Sequence, residues 1–377
     1  LEIKNFKKLE KDKLVYAILD HAAVVDAKNA PERPDRKKRG RPKKEKPAEK
    51  QEAVSAPAEE AQVNAEPAKA EPVKETPSED TPPAQGKKRN KKTKKQRWFV
   101  PAGMEPTAMD LKIMEWQAKG KLVPTRKLIK TPEQIAGIRK AGQLNTAVLD
   151  AVAEKIREGM TTAEIDRIVY DYTTAHGGIP APLNYSGFPS SCCTSINDVV
   201  CHGLPSEDDV LEEGDIINVD CTTILDGYYA DASRMFVIGK TEPSWQRLVD
   251  VAWECLKVGE KVCSQPYVFV GDMGNAIAKH AHQNRCTIVR ALCGHGIGLE
   301  FHEKPEVEHY GHKGTGMLLV PGMTFTIEPM VNMGHWEVCM DEEDETGWVV
   351  LTDDGLPSAQ WEHTYLMTEN GVEILSH

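Results

Sequence analysis

The chain has 377 residues, with 47 lysines and arginines against 58 aspartates and glutamates, for a net charge of -11. The length allows two domains, or one domain with tails, and the acidic balance bears on solubility rather than on fold. No apolar run reaches the length of a membrane-spanning helix, and nine cysteines without a single C-x-x-C pair exclude a zinc ribbon and a thioredoxin-type motif. An odd number of cysteines fits free thiols in a reducing compartment, so the expected localisation is cytoplasmic.

In chain order, residues 1–26 carry one short helical pattern. Leu9, Leu14, Ile18 and Leu19 share its apolar face. The segment from Ile3 to Asp20 resembles the second half of the small helical domain at the N-terminus of transcription termination factor Rho. Residues 27–97 are rich in Pro, Ala, Glu and Lys and nearly devoid of large apolar side chains. Such a stretch cannot bury enough apolar surface to offset chain entropy, so it is expected to be disordered.

Two basic blocks bracket this stretch. Arg39-Gly-Arg-Pro42 is similar to an AT-hook, and arginine suits a narrow A·T minor groove, which implies a weak DNA contact. Lys87 to Arg97 has the charge density to meet ribosomal or other RNA through counterion release. Residues 98–127 read as an arm that packs over the following domain through Trp98, Phe99, Met114 and Trp116.

The catalytic domain is expected over residues 128–377. Thr131-Pro132-Glu133-Gln134 is a helix start, with a capping threonine and proline at the first helical position. A second helix opens at Thr161 or Thr162 and stops at Gly177-Gly178. Strand patterns cover Cys193 to His202 and Ile216 to Ile238, with Asp226-Gly227 as the turn between two strands. Helical patterns follow from Ser244 to Val262 and from Asp272 to Asn284, and the remainder is rich in strands, at Met317 to Val320, Met323 to Val331, Trp348 to Leu351 and His363 to Met367. The class is therefore α+β.

The chemistry-bearing residues sit at strand ends and in glycine loops. Asp220 and Asp231 lie on the two arms of the predicted hairpin. His295 and His302 lie in Gly294-His-Gly-Ile-Gly-Leu-Glu-Phe-His302, and Glu328 and Glu362 each end or begin a strand. Taken singly, each is equally readable as a structural residue held by backbone donors. Together, Asp220, Asp231, His295, Glu328 and Glu362 supply four carboxylates and one imidazole. Two divalent cations would nearly neutralise such a set, with bridged metals roughly 3.5–4 Å apart. Oxygen-rich ligation with one histidine suits Mn, Fe, Co or Zn rather than a thiolate zinc site.

From Thr131 onward the chain resembles a type I methionine aminopeptidase of the pita-bread fold, a pseudo-twofold α+β architecture. The segments that carry the resemblance are Tyr185-Ser-Gly-Phe-Pro189, Ser195 to Gly203, Asp215 to Asp220, Tyr229 to Ser233, Gly294 to Gly298, Phe301-His302, Phe325 to Met330 and Ala359 to Thr364. The resemblance implies metal ligation by Asp220, Asp231, His295, Glu328 and Glu362, with Asp231 and Glu362 bridging both ions. It implies removal of the initiator methionine from nascent chains when the second residue is small, through attack of metal-bound hydroxide on the first peptide bond. Glu328 is the expected general base, and His202 and His302 are expected to contact the substrate or the tetrahedral intermediate. Tyr185, Phe188, Cys193, Phe301 and Trp348 would line the methionine pocket, alongside His202 and His302. A monomer with no membrane association is expected.

Some features depart from the family pattern. No large helical insert separates Asp231 from His295, as expected of type I, and the N-terminal half has no cysteine for a zinc-finger extension. The acidic run Asp341-Glu-Glu-Asp-Glu345 makes the connection before Trp348 longer than the minimal pattern. Two other readings compete: a prolidase or aminopeptidase P relative, and a non-catalytic relative that binds nucleic acid through its tail.

Deleting residues 1–97 is expected to leave hydrolysis of a Met-Gly-X peptide unchanged and to abolish salt-dependent binding to ribosomes or RNA. Peptide turnover and co-sedimentation at low and moderate salt check this. A truncated protein that fails to fold, or equal RNA binding by both forms, would overturn it.

Overall fold

The structure is a computed structural model, and it describes residues 98–377. The expectations for residues 1–26 and 27–97, including both basic blocks and the Rho-like and AT-hook-like segments, lie outside the described residues.

Three of the helices begin at threonine caps. In α1 (Ala108–Ala118), Thr107 and Asp110 cap each other. In α2 (Pro132–Ala153), the Thr131 hydroxyl accepts from the Gln134 amide, and the Gln134 side chain accepts from the Thr131 amide. In α3 (Thr162–Ala175), Thr161 and Glu164 repeat the arrangement. Each box satisfies amides that the first helical turn leaves without partners. The longer helix α4 (Pro243–Val262) and the helix α5 (Val270–Gln283) lie within a residue or two of their expected bounds.

One nine-stranded sheet carries the site. Its strands are β1 (Ile179–Pro180), β2 (Cys193–Ile196), β3 (Ile216–Leu225), β4 (Tyr228–Val237), β5 (Gly294–Gly296), β6 (Glu303–Val307), β7 (Thr324–Ile327), β8 (Glu362–Thr368) and β9 (Gly371–Ser376). The order is β1-β3-β4-β8-β7-β5-β6, with β2 also paired to β3 and β9 to β8. Strands β3 and β4 form the expected hairpin, and Asp226 and Gly227 both take positive φ at its turn. That is the backbone a two-residue turn needs to match the strand twist.

The continuous strand expected from Met323 to Val331 is broken. Thr324–Ile327 stays in the large sheet, whereas Met330–Asn332 pairs with Ser358–Gln360 and Thr287–Ile288 in a smaller one. Pro329 has no amide to donate, so the ladder ends there. Trp361 marks the same crossing between Ser358–Gln360 and β8. Glu328 and Glu362 therefore both stand where the chain passes between the two sheets.

The arm packs differently from the expectation. Trp98 and Ile113 are buried in the core shared with α4 and α5, and Trp116 meets Phe269 edge to face at 5.2 Å. Phe99 and Met114, by contrast, are exposed. The inward face is chosen by polar ties. The Trp98 indole donates to Asp110 at 2.8 Å, and Arg126 covers the ring at 4.5 Å.

Helix α2 lies so close to β9 that only glycine fits at position 142. A Cβ there would sit 2.0 Å from the Leu375 carbonyl oxygen. Beside it, Asn145 donates to Ser376 and accepts from Thr223, a buried polar tie between helix and sheet. Gly142→Ala is expected to destabilise the fold by about 1–3 kcal/mol, because backbone rather than a flexible side chain must give way. Denaturant unfolding measures it, and an unchanged midpoint would mean that the helix slides freely.

Candidate metal centre

Directly paired residues on neighbouring strands share a face, and so do residues two apart on one strand. Asp220 pairs with Ser233 across the hairpin, and Asp231 pairs with Thr222. Ser233 pairs with Glu362 on β8. Asp220, Asp231 and Glu362 thus share one face. Thr364 pairs with Thr326 on β7, whose hydroxyl accepts from the His295 amide at 3.0 Å. Glu328 lies two residues beyond Thr326, so the same alternation brings it and His295 to this face. The residues between them, such as Val219, Cys221 and Ala232, enter the apolar core with Val148 and Leu149 of α2 and Ile165 of α3.

Asp231, His295 and Glu362 are buried and each offers one ligand atom, all within 4.8 Å of one another. His295 Nε2 is 3.8 Å from Asp231 Oδ2 and 3.7 Å from Glu328 Oε1. Asp220 is half-buried on the adjoining strand. Burial raises every carboxyl here: Asp220 to about 6, Glu328 to about 8, and Asp231 and Glu362 well above the usual range. Mutual repulsion adds to burial at Asp231 and Glu362. Burial also lowers His295 to about 4, so its imidazole is neutral. Its Nδ1 lies 3.0 Å from the Gly296 carbonyl, which fixes the proton there and leaves the Nε2 lone pair toward the carboxylates.

Asp231 Oδ1 and Glu362 Oε1 are buried without a hydrogen-bond partner. Two orphaned carboxylate oxygens beside a neutral imidazole lone pair make an acceptor set without a donor. The residues fit a divalent cation, which supplies what the protein withholds.

The profile of metallopeptidase family M24 matches residues 136–369. The chain belongs to metallopeptidase family M24, among its type I methionine aminopeptidases. It is 49% identical over 243 residues to methionine aminopeptidase A of Synechocystis sp., covering 64% of this chain and 94% of that one. The crystal structure of methionine aminopeptidase from Rickettsia prowazekii is similar at 42% identity and a TM-score of 0.64, over 66% of this chain and 99% of that one. Prolidase from Pyrococcus furiosus, at 23% identity and a TM-score of 0.53 over 66% and 65% of the two chains, shares the fold. The pita-bread architecture expected from the sequence is the one observed. Family membership carries divalent metal binding, and it sets aside a nucleic-acid-binding relative without an enzyme's site.

The other residues expected in the M24 site fall into two walls. Tyr185 packs on Phe301 at 4.9 Å and its hydroxyl lies 3.0 Å from His302 Nδ1, while His302 stands 4.3 Å from His295, ring to ring. On the other side, Trp348 meets Phe188 at 5.5 Å and His202 at 5.4 Å, both edge to face. Cys193 pairs directly with Asp220 in the sheet. Burial, with the neighbouring imidazoles, holds His302 well below its ordinary pKa, so it is a neutral donor rather than a cation.

Several contributors carried no signal of their own. The Thr326 hydroxyl donates to Glu328 Oε1 at 2.5 Å, and the Gln360 amide reaches Glu328 Oε2 at 3.3 Å. The buried His309 Nε2 accepts from the Glu328 amide at 3.0 Å. Tyr229 stacks on Phe301 at 6.3 Å. Thr326 lies two residues from Glu328 and Tyr229 two from Asp231, so strand alternation was the available clue; nothing local marked His309. Lys130 and Glu303 form a buried ion pair at 2.6 Å, and the second oxygen of Glu303 accepts from the Leu299 and Glu300 amides. That carboxylate closes the loop that presents Phe301 and His302.

The raised carboxyl pKa values set a sign for pH dependence. Burial also lowers His202, His295, His302, His309 and His363, which works the other way up to the ordinary histidine value near 6.5. From there to about 8 the raised carboxyls dominate, the metal-free native state binds more protons than the unfolded chain, and stability falls as pH rises. A bound cation favours the ionised ligands and opposes this. In chelator-treated protein the melting midpoint is expected to fall from pH 6.5 to pH 8, and added Mn²⁺ is expected to raise it more at the higher pH. Scanning fluorimetry checks this; a cation effect independent of pH would count against the ligand set.

Proposed function

We propose that this chain removes the initiator methionine from nascent proteins whose second residue is small, using two divalent ions held by Asp220, Asp231, His295, Glu328 and Glu362. The observation that carries the reading is the buried Asp231–His295–Glu362 cluster with its two orphaned carboxylate oxygens. Asp231 and Glu362, whose orphaned oxygens lie beside His295, would hold the ions together with Asp220 and Glu328, and Mn, Fe, Co or Zn would suit the donor set. Bound divalent ions would bring the pKa of water toward neutrality and polarise a carbonyl.

The chain's own residues do the rest. Glu328, held by Thr326 and Gln360, takes a proton from water and passes it to the leaving amine. His302, neutral and braced by Tyr185, and His202 donate hydrogen bonds to the oxygen that gains charge in the transition state. Phe188, Trp348, Tyr185 and Phe301, with the Cys193 thiol, offer the aromatic walls and soft neighbour that suit a thioether. The partners in this reading are N-terminal methionine peptides and nascent chains, and a cytoplasmic monomer is part of the same proposal. Among the described residues no helix is long and apolar enough to cross a membrane. Contact with ribosomal RNA through Lys87–Arg97 and with DNA through Arg39–Pro42 is part of the same reading.

The test is release of methionine from Met-Gly-X and Met-Leu-X peptides with Mn²⁺, Fe²⁺ or Co²⁺, with an X-Pro peptide as the prolidase control. The Met-Gly peptide is expected to be cleaved well, the Met-Leu peptide poorly and the X-Pro peptide not at all. Elemental analysis is expected to find two ions in the wild type and fewer in Asp231→Asn, with most activity lost. An Asp231→Asn protein that keeps two ions and near-normal turnover would sink the ligand assignment.

A further inference from the structure

The acidic connection before Trp348 hangs from a hairpin of its own. Val338–Met340 pairs with Val350–Thr352, and the latter pairs on its other edge with Val199–Cys201. Val350 faces Cys201, and His202 is the next residue. The end of the loop therefore runs alongside the backbone that delivers His202.

Inside the loop one carboxylate gathers the chain. Asp344 Oδ1 accepts from the Thr346 amide at 2.8 Å and from its hydroxyl at 2.6 Å. Asp344 Oδ2 accepts from the Trp348 amide at 2.8 Å and the Val349 amide at 2.9 Å. Burial pushes this carboxyl's pKa up, but the bonds from Thr346, Val349 and Trp348 outweigh it and the net shift is downward. Its acidic neighbours Glu342, Glu343 and Glu345 are exposed. Asp344 alone of the run has its oxygens engaged on the Trp348 peptide.

Trp348 in turn stands against His202 and Phe188. His202 has φ of +57°, a left-handed conformation that a side chain disfavours and that surrounding contacts must hold. The Trp348 backbone favours protonation of the His202 imidazole, against the larger effect of its burial. The indole edge and the peptide of one residue thus both bear on His202.

We infer that Asp344 is a positioning residue for the reaction site: by fixing the Trp348 peptide it sets the place of the His202 imidazole and of the Phe188–Trp348 wall. This rests on the proposed roles of His202 and of that wall in binding a methionine substrate.

The test is a double-mutant cycle of Asp344→Ala and His202→Ala, with kinetics on a Met-Gly-X peptide at saturating Mn²⁺. Asp344→Ala is expected to lower kcat/KM by about tenfold or more, since small misplacements of reacting groups are costly. Metal content is expected to stay at the wild-type value, and the loss is expected to shrink in the His202→Ala background. An equal factor in both backgrounds, or no loss, overturns the inference. Asp344→Asn is the second variant, because its single amide oxygen can serve only one pair of donors and the loop stays filled.

Activity is not the only readout. The emission of Trp348 is taken as the difference between each protein and its Trp348→Phe counterpart. It is expected to shift to the red in Asp344→Asn, as the indole leaves its wall. Unchanged Trp348 emission overturns the inference whatever the turnover. A wild type that releases no methionine overturns the functional reading instead, and the emission difference still decides whether Asp344 holds Trp348.

Discussion

Carboxylates crowded on one dry face of one sheet are the constraint on which the rest of the molecule depends. Ionised and unpaired, each would be held out of water at a cost of several kcal/mol. Their raised pKa values express that cost in a protonated, metal-free state. Among the described residues no lysine or arginine pairs with Asp231 or Glu328; the basic side chain nearest both is His295, which is neutral. The strain is thus left for a cation to resolve, and binding free energy for the metal is stored in the fold itself.

Everything around the cluster serves its rigidity. The opposite face of β3 and β4 is locked into an apolar core with α2 and α3. Gly142 and Asn145 bring α2 into close register with β9 and β3. Where the chain crosses between sheets, Pro329 ends one ladder and Trp361 stands before the next, which turns Glu328 and Glu362 toward the same point. Thr326 and Gln360 then bond the Glu328 carboxylate and His309 its backbone amide, so the side chain and the chain that carries it are both held in place.

The two walls beside the ligands are built by different means. The His302 side is clamped by a buried ion pair, in which Glu303 binds Lys130 with one oxygen and two loop amides with the other. The His202 side is held by Trp348 at the end of an acidic loop. The first ties the loop to a residue just before helix α2, far away in sequence. The second is closed within a few residues, so its length can vary while its end stays in place.

What the sequence by itself determined is local or chemical. Thr131-Pro132 and Thr161 announced their helices, because a cap needs only its own turn. Asp226-Gly227 announced the hairpin, and the hairpin's period of two placed Asp220 and Asp231 on one face. The donor types of Asp220, Asp231, His295, Glu328 and Glu362, each in or beside an apolar strand or glycine loop, pointed to a metal, because so many carboxylates together need cations to offset them. The tertiary structure alone decided which partners complete them. The break at Pro329, the inward turn of Trp98 in place of Phe99, the bond from His309 to Glu328 and the contact of Trp348 with His202 join residues through sheet register and packing. Register is set by many weak pairings acting together across distant segments, so no short window of sequence contains it.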